Sequence, residues 1–137
     1  MHDMNIAYLA ILTIIVEYAL LGSMVAVARS RYNVAAPVVT GNVDFERYFR
    51  VQQNTLEQLI IVIPCLWIMA ATLSPLWAAV LGFIFVVCRA WYAWGYYKSA
   101  GGRHYGFMFG SFATGALLLG ALFGVLRNLY LSAVVSG

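Results

Sequence analysis

The sequence predicts an all-α integral membrane protein, a bundle of four transmembrane helices forming one domain over residues 1–137. Three observations carry this reading. Of the 137 residues, 64% are hydrophobic and 9% charged. A soluble domain carries roughly 25% charged residues, so this chain has too little polar surface to cover a water-facing globule. The apolar residues also fall into four stretches, each close to the about 20 residues that a helix needs to cross a bilayer. Finally, polar breakers separate the stretches, and the basic residues concentrate in two of the breaks. No soluble appendage, long internal repeat or low-complexity segment is expected.

The first span runs from Asn5 to Ala28. Its leading residues, MHDMN, lack a basic n-region, and no small-residue cleavage site interrupts the apolar run, so it is expected to be a retained span. The segment RSRYNVAAPVVTGNVD follows as a loop. The second span runs from Phe45 to Leu73, where Ser74-Pro75 breaks it. The third covers Leu76 to Tyr97. KSAGGR, with its glycine pair, forms the next loop, and the fourth span covers Tyr105 to Val135.

Orientation follows from the basic residues. Arg29, Arg31, Arg47 and Arg50 gather at the first loop, and Lys98 and Arg103 at the third, whereas the second loop has none. The excess of positive charge on cytoplasmic loops places loops one and three in the cytoplasm. The formal charge of +3 is small, and no nucleic-acid partner is expected. Cys65 and Cys88 lie in apolar runs and read as small hydrophobes. His2 and His104 are far apart and lack cysteine partners, so no metal site is expected.

The second span carries an unusual load. FERYFRVQQNTLEQL, residues 45–59, holds two arginines, two glutamates, three glutamines and an asparagine. At helical spacing Arg50, Asn54 and Glu57 fall within about 60° of each other, flanked by Arg47 and Gln58, while Gln52 lies about 160° from Asn54. A charge at mid-bilayer costs roughly 2.5–3.5 kcal/mol on insertion scales. Two polar faces cannot both look at lipid. One is expected to face the helices of its own chain and the other a second copy, with a polar cavity between subunits. In the third span Arg89, Tyr92 and Tyr96 share a face. At about 1.5 Å per residue, Glu57 lies about 15 Å beyond Arg47 and Arg89 about 14 Å before Lys98, so Glu57 and Arg89 reach similar depth as a candidate ion pair. Glu17 is a rival partner.

Plainer readings stand beside these. Arg29, Arg31, Arg47 and Lys98 also suit interfacial anchors that snorkel, and Tyr92 and Tyr96 suit an aromatic belt. The Arg50/Asn54/Glu57 stripe exceeds what holding two helices together requires. Arginine forks suit carboxylates, Glu57 suits an amino group, and amides and tyrosines suit peptide groups. A small zwitterionic peptide with extra carboxylates fits that inventory.

FERYFRVQQNTLEQL, followed by apolar residues and a proline, resembles the signature of the MAPEG family, the membrane-associated proteins in eicosanoid and glutathione metabolism. CRAWYAWGYYKSAGGR resembles that family's third helix and following loop, so the likeness covers nearly the whole chain. The nearest group looks like the microsomal glutathione transferases and leukotriene C4 synthase. The resemblance implies a homotrimer of four-helix subunits, with glutathione as cosubstrate between neighbours near the cytoplasmic side. It implies that Arg50, Asn54, Glu57, Tyr92 and Tyr96 hold glutathione within one subunit. Arg29 and Gln52 would reach in from the next, and Arg103 would sit beside the sulfur. Gln58 is also counted among the glutathione-binding residues, although it stands where the leukotriene-synthase branch has a tyrosine, and Ser30 stands where that branch has a second consecutive arginine. Both departures argue against a strict leukotriene C4 synthase.

The implied activity is a glutathione S-transferase that conjugates lipophilic electrophiles arriving from the bilayer, a detoxification chemistry. Glutathione peroxidase activity on lipid hydroperoxides is its companion. The implied location is a bacterial inner membrane or the endoplasmic reticulum. Two rival readings are a non-catalytic lipid-binding member of the family and a small multidrug-type transporter using Glu17. The arginines of the second span would repel the cationic drugs of such a transporter.

Overall fold

The computed structural model describes residues 2–136. The domain limits Met1 and Gly137, and the side chains of His2 and Asp3, lie outside the described residues. The chain forms four α-helices: α1, His2–Tyr32; α2, Val43–Thr72; α3, Pro75–Lys98; and α4, His104–Ser136. All four are long and apolar enough to cross a membrane, and the protein is an integral membrane protein. Each helix exceeds its sequence-predicted span at one or both ends, because caps extend helices past the apolar residues.

Helix α1 continues through Arg29–Tyr32 and stops at Asn33, whose φ of 55° lies in the left-handed region. The Val34 N–H returns to the Arg29 carbonyl at 3.0 Å, and the Val34 side chain is buried beside Val25, Ala28 and Phe45. A left-handed residue, a backward hydrogen bond and an apolar contact together make a Schellman stop. Helix α2 starts at a side-chain cap. Asn42 Oδ1 accepts from the Asp44 and Phe45 N–H groups, each at 3.0 Å, and the Glu46 carboxylate accepts from Gly41 N–H at 3.1 Å. Asp44 and Glu46 in the first turn also complement the helix dipole. The turn into α3 needs only Leu73 and Ser74. Ser74 Oγ accepts from Trp77 N–H at 3.4 Å, and Pro75 takes the first helical position, where its missing N–H has no partner to lose.

Helices α1 and α4 each pack on both α2 and α3, and α2 packs on α3. Among the described residues α1 and α4 do not touch. The chain is therefore a central α2–α3 pair flanked on two sides. Most of the core lies in one cluster built from small and aliphatic side chains, among them Ala10, Ile14, Val62, Leu66, Ala78, Phe85 and Leu117. Small residues let helix backbones approach closely, which matters in lipid because apolar burial alone does not drive helices together there. Nearer the end that carries loops one and three, the packing turns aromatic, around Val51, Tyr92 and Tyr96. Polar side chains gather at that end.

Candidate functional site

Inside that end a cavity of about 640 Å³ opens between α2, α3 and the start of α4. Asn54, Tyr92, Arg103, His104 and Phe107 face it. Tyr92 is only 1% exposed, and its hydroxyl accepts a hydrogen bond from Asn54 Nδ2 at 2.7 Å. This bond joins the polar stripe of α2 to the tyrosine face of α3. The ring of Tyr96 lies 5.8 Å from that of Tyr92, and the Arg103 guanidinium stands 4.8 Å above the Tyr96 ring. A cation over an aromatic face is attracted by the ring quadrupole. The contact holds Arg103 at the cavity, and among the described residues its guanidinium makes no side-chain hydrogen bond or ion pair.

A second, smaller recess of about 320 Å³ also borders Asn54. Arg50, Gln53, Asn54 and Glu57 of α2 form its wall, and Val39 and Thr40 of loop one form its rim. Arg50 and Glu57 are exposed, and Asn54 is half-buried. The stripe expected from helical spacing thus forms one surface, with Asn54 shared by both spaces.

Other expected site residues are placed elsewhere in the chain. Arg29 turns back onto its own loop. Its Nη1 donates to the Val38 carbonyl at 2.6 Å and the Val34 carbonyl at 3.4 Å, and its guanidinium lies 4.9 Å from the centre of the Phe45 ring. Gln52 is half-buried against α1, where a Cβ built on Gly22 would sit 3.5 Å from its Nε2. Gln58 accepts a hydrogen bond from Thr114 Oγ1 at 3.1 Å, tying α2 to α4.

The expected Glu57–Arg89 ion pair does not form. Glu57 points out into the recess, while Arg89 is 4% exposed between the rings of Phe85, at 5.3 Å, and Tyr92, at 4.7 Å. The two residues reach a similar depth on faces that look in different directions. Glu17 of α1, the rival partner, forms no ion pair with Arg89 either. The single ion pair among the described residues is Arg47–Asp44 at 3.2 Å. Arg89 Nη1 is left without a hydrogen-bond partner.

Two parts of the site had no clear signal in sequence. His104 drew attention only as a lone histidine, and Phe107 not at all, yet both line the cavity. The glycines around loop three read simply as turn residues. In the structure Gly95 and Gly102 bring two backbones together directly beneath Arg103.

Comparison with known proteins identifies the family of the chain. The model of the MAPEG family matches residues 6–134. An uncharacterized protein of Synechocystis is 46% identical over 112 residues, covering 82% of each chain. Microsomal glutathione S-transferase 2 of Mus musculus is 41% identical over 80 residues, 58% of this chain and 54% of that protein. Leukotriene C4 synthase of Cavia porcellus is 34% identical over 73 residues, 53% of this chain and 49% of that protein. The chain thus spans about half the length of these two mammalian relatives. The breadth of the family match, reaching from α1 into the last turns of α4, shows that this chain belongs to the MAPEG family.

Proposed function

We propose that the protein is a membrane-bound glutathione S-transferase that activates the glutathione thiol and transfers it to lipophilic electrophiles. The observation that carries this reading is the placement of Arg103, a fixed cation beside a cavity whose wall is the Asn54–Tyr92 pair. The glutathione transferase and leukotriene C4 synthase relatives support glutathione as the cosubstrate. Arg50, Asn54, Glu57, Tyr92 and Tyr96 form the cradle. Arg50 takes a carboxylate and Glu57 the amino group, while Asn54 and the tyrosines take peptide groups. Arg29 and Gln52, which no contact brings to their own cavity, come from the adjoining subunit of a homotrimer. Gln58 serves as a helix tie through Thr114. Loops one and three face the cytoplasm, of a bacterial inner membrane or of the endoplasmic reticulum.

A free thiol has a pKa of about 8.5, so only a few per cent is thiolate at pH 7. A neighbouring guanidinium favours the anion. Arg103 accepts no proton. It stabilises the thiolate while the proton leaves to solvent. The thiolate sulfur then bonds to the electrophilic carbon, and the electron pair of the breaking bond leaves with the displaced group or is protonated after addition, giving a thioether. With a lipid hydroperoxide the sulfur attacks the outer oxygen and the O–O bond breaks. A second glutathione then releases the disulfide, so two thiols are oxidised as the hydroperoxide becomes alcohol and water.

An ultraviolet difference spectrum of the purified protein in detergent on adding glutathione tests the reading. A saturable thiolate band near neutral pH, lost in Arg103→Ala and kept in Arg31→Ala, is the expected outcome. A wild-type protein that binds no glutathione would sink it.

A further inference from the structure

Loop three is held by backbone packing, and that packing sets where Arg103 stands. A Cβ built on Gly95 of α3 would lie 2.2 Å from the Gly102 carbonyl oxygen, and one built on Gly102 would lie 2.4 Å from the Gly95 carbonyl oxygen. Real Cβ atoms essentially never come within 3.0 Å of such atoms, so neither position accepts a side chain without moving the loop. The contact is closed by hydrogen bonds. Gly102 N–H reaches both the Ser99 carbonyl at 3.2 Å and Ser99 Oγ at 3.1 Å, and Ser99 N–H reaches the Gly95 carbonyl at 3.1 Å. Gly106, at the start of α4, packs as closely on the α3 backbone. A Cβ on Gly106 would lie 2.4 Å from the Tyr92 backbone nitrogen. Gly101, beside Gly102, has nothing within 4 Å of its Cβ position. Arg103 follows Gly102 directly, and Tyr96, over which its guanidinium lies, follows Gly95 directly.

We infer that Gly95 and Gly102 are positioning residues for the reaction. Their backbone contact fixes Arg103 over Tyr96 and thereby aims its guanidinium at the reacting sulfur. The inference rests on the proposed transferase reading for its chemistry but not for its geometry. Adding a methyl at either glycine pushes the loop away from α3 by roughly an ångström, and a misplacement of that size costs on the order of 100-fold in rate even when made away from the reacting atoms. The cradle side chains stand on α2 and α3, while the loop adds only Ala100 and Gly101 to the cavity wall beside Arg103, so turnover is expected to fall far more than glutathione affinity.

The experiment compares wild type with Gly95→Ala, Gly102→Ala and Gly101→Ala as full-length protein in detergent. Hydrogen exchange of the peptide covering residues 99–107 reads loop docking without reference to activity. Glutathione titration reads the cradle, and turnover with glutathione and chlorodinitrobenzene reads the chemistry. Faster exchange in Gly102→Ala and Gly95→Ala, with wild-type exchange in Gly101→Ala, is expected. Alongside it kcat should fall 10- to 100-fold, with glutathione affinity within about threefold of wild type. Two variants at the two sides of one contact keep the test decisive should one fail to fold. Equal exchange in all four proteins would overturn the inference. So would parallel loss of affinity and turnover, which would mark the glycines as purely structural. If the wild type neither binds glutathione nor turns over, the transferase reading fails. The exchange comparison then still decides whether the two glycines dock Arg103.

Discussion

The two loops at the polar end of the bundle each carry an arginine next to a helix, and they are built in opposite ways. Loop one is held by its arginine. Asn33 turns the chain back, Val34 and Val38 offer carbonyls, and Arg29 fills both while covering Phe45. Loop three is held by its glycines, and its arginine is left facing the cavity. Arg29 spends Nη1 on the two carbonyls of its own loop, which ties it to that loop while its other nitrogens stay open to the adjoining subunit of the proposed trimer. A guanidinium parked over a ring keeps its donors for something else. The comparison shows that a basic residue in a loop declares its use through what holds that loop in place.

The sharpest way to break the comparison is Arg103→Ala. Turnover should fall by about 100-fold or more, the scale seen when one donor to a developing anion is removed, with glutathione affinity little changed. Steady-state kinetics and a binding titration check this, and equal turnover would put Arg103 on the same footing as Arg31. Next is Arg29→Ala, which removes two hydrogen bonds from a charged donor, worth about 1.5–3 kcal/mol each. Amides of residues 33–42 should exchange faster, while the thiolate band at saturating glutathione persists. Loss of the band without loosening of loop one would reverse the roles assigned to the two arginines. Tyr92→Phe sharpens the comparison at the cavity wall. It deprives Asn54 Nδ2 of its acceptor, a loss of about 1 kcal/mol, and should raise the KM for glutathione roughly fivefold with a smaller change in kcat. The smallest effect is expected from Thr114→Val, which removes the hydroxyl shared between Gln58 and the Gly110 carbonyl of its own helix. Side-chain hydrogen bonds between membrane helices average about 0.6 kcal/mol, so unfolding in detergent should shift slightly. A larger shift than in Arg29→Ala would mean that the α2–α4 tie, rather than loop one, bears the load.

Much of this arrangement was legible in the sequence. Length and hydropathy located four helices to within a few residues, and helical spacing put Arg50, Asn54 and Glu57 on one surface. The Glu57–Arg89 expectation went astray for a definite reason. Counting residues along an axis gives depth, but says nothing about how two helices are rotated against each other. Arg89 turned inward between two rings, and Glu57 turned outward. The bonds from Arg29 to its own loop had no signal, because nothing local announced that Asn33 would adopt a left-handed conformation and bring Val38 within reach. The Gly95–Gly102 contact was invisible for a similar reason. A close approach between backbones is a property of two segments, and each glycine taken singly reads as a turn residue.

Helix α2 is joined to α3 by Leu73 and Ser74 alone. So short a tether leaves no slack for the two helices to reach the membrane separately, and they are expected to insert together as a hairpin. The consequence concerns how the chain is made. Arg89, which on a lone α3 would meet lipid during insertion at a cost of roughly 2.5–3.5 kcal/mol, arrives with α2 already alongside and Tyr92 over its guanidinium. Insertion is then expected as three units, α1, the hairpin and α4, with Arg89 inside the unit that brings a neighbouring helix for it.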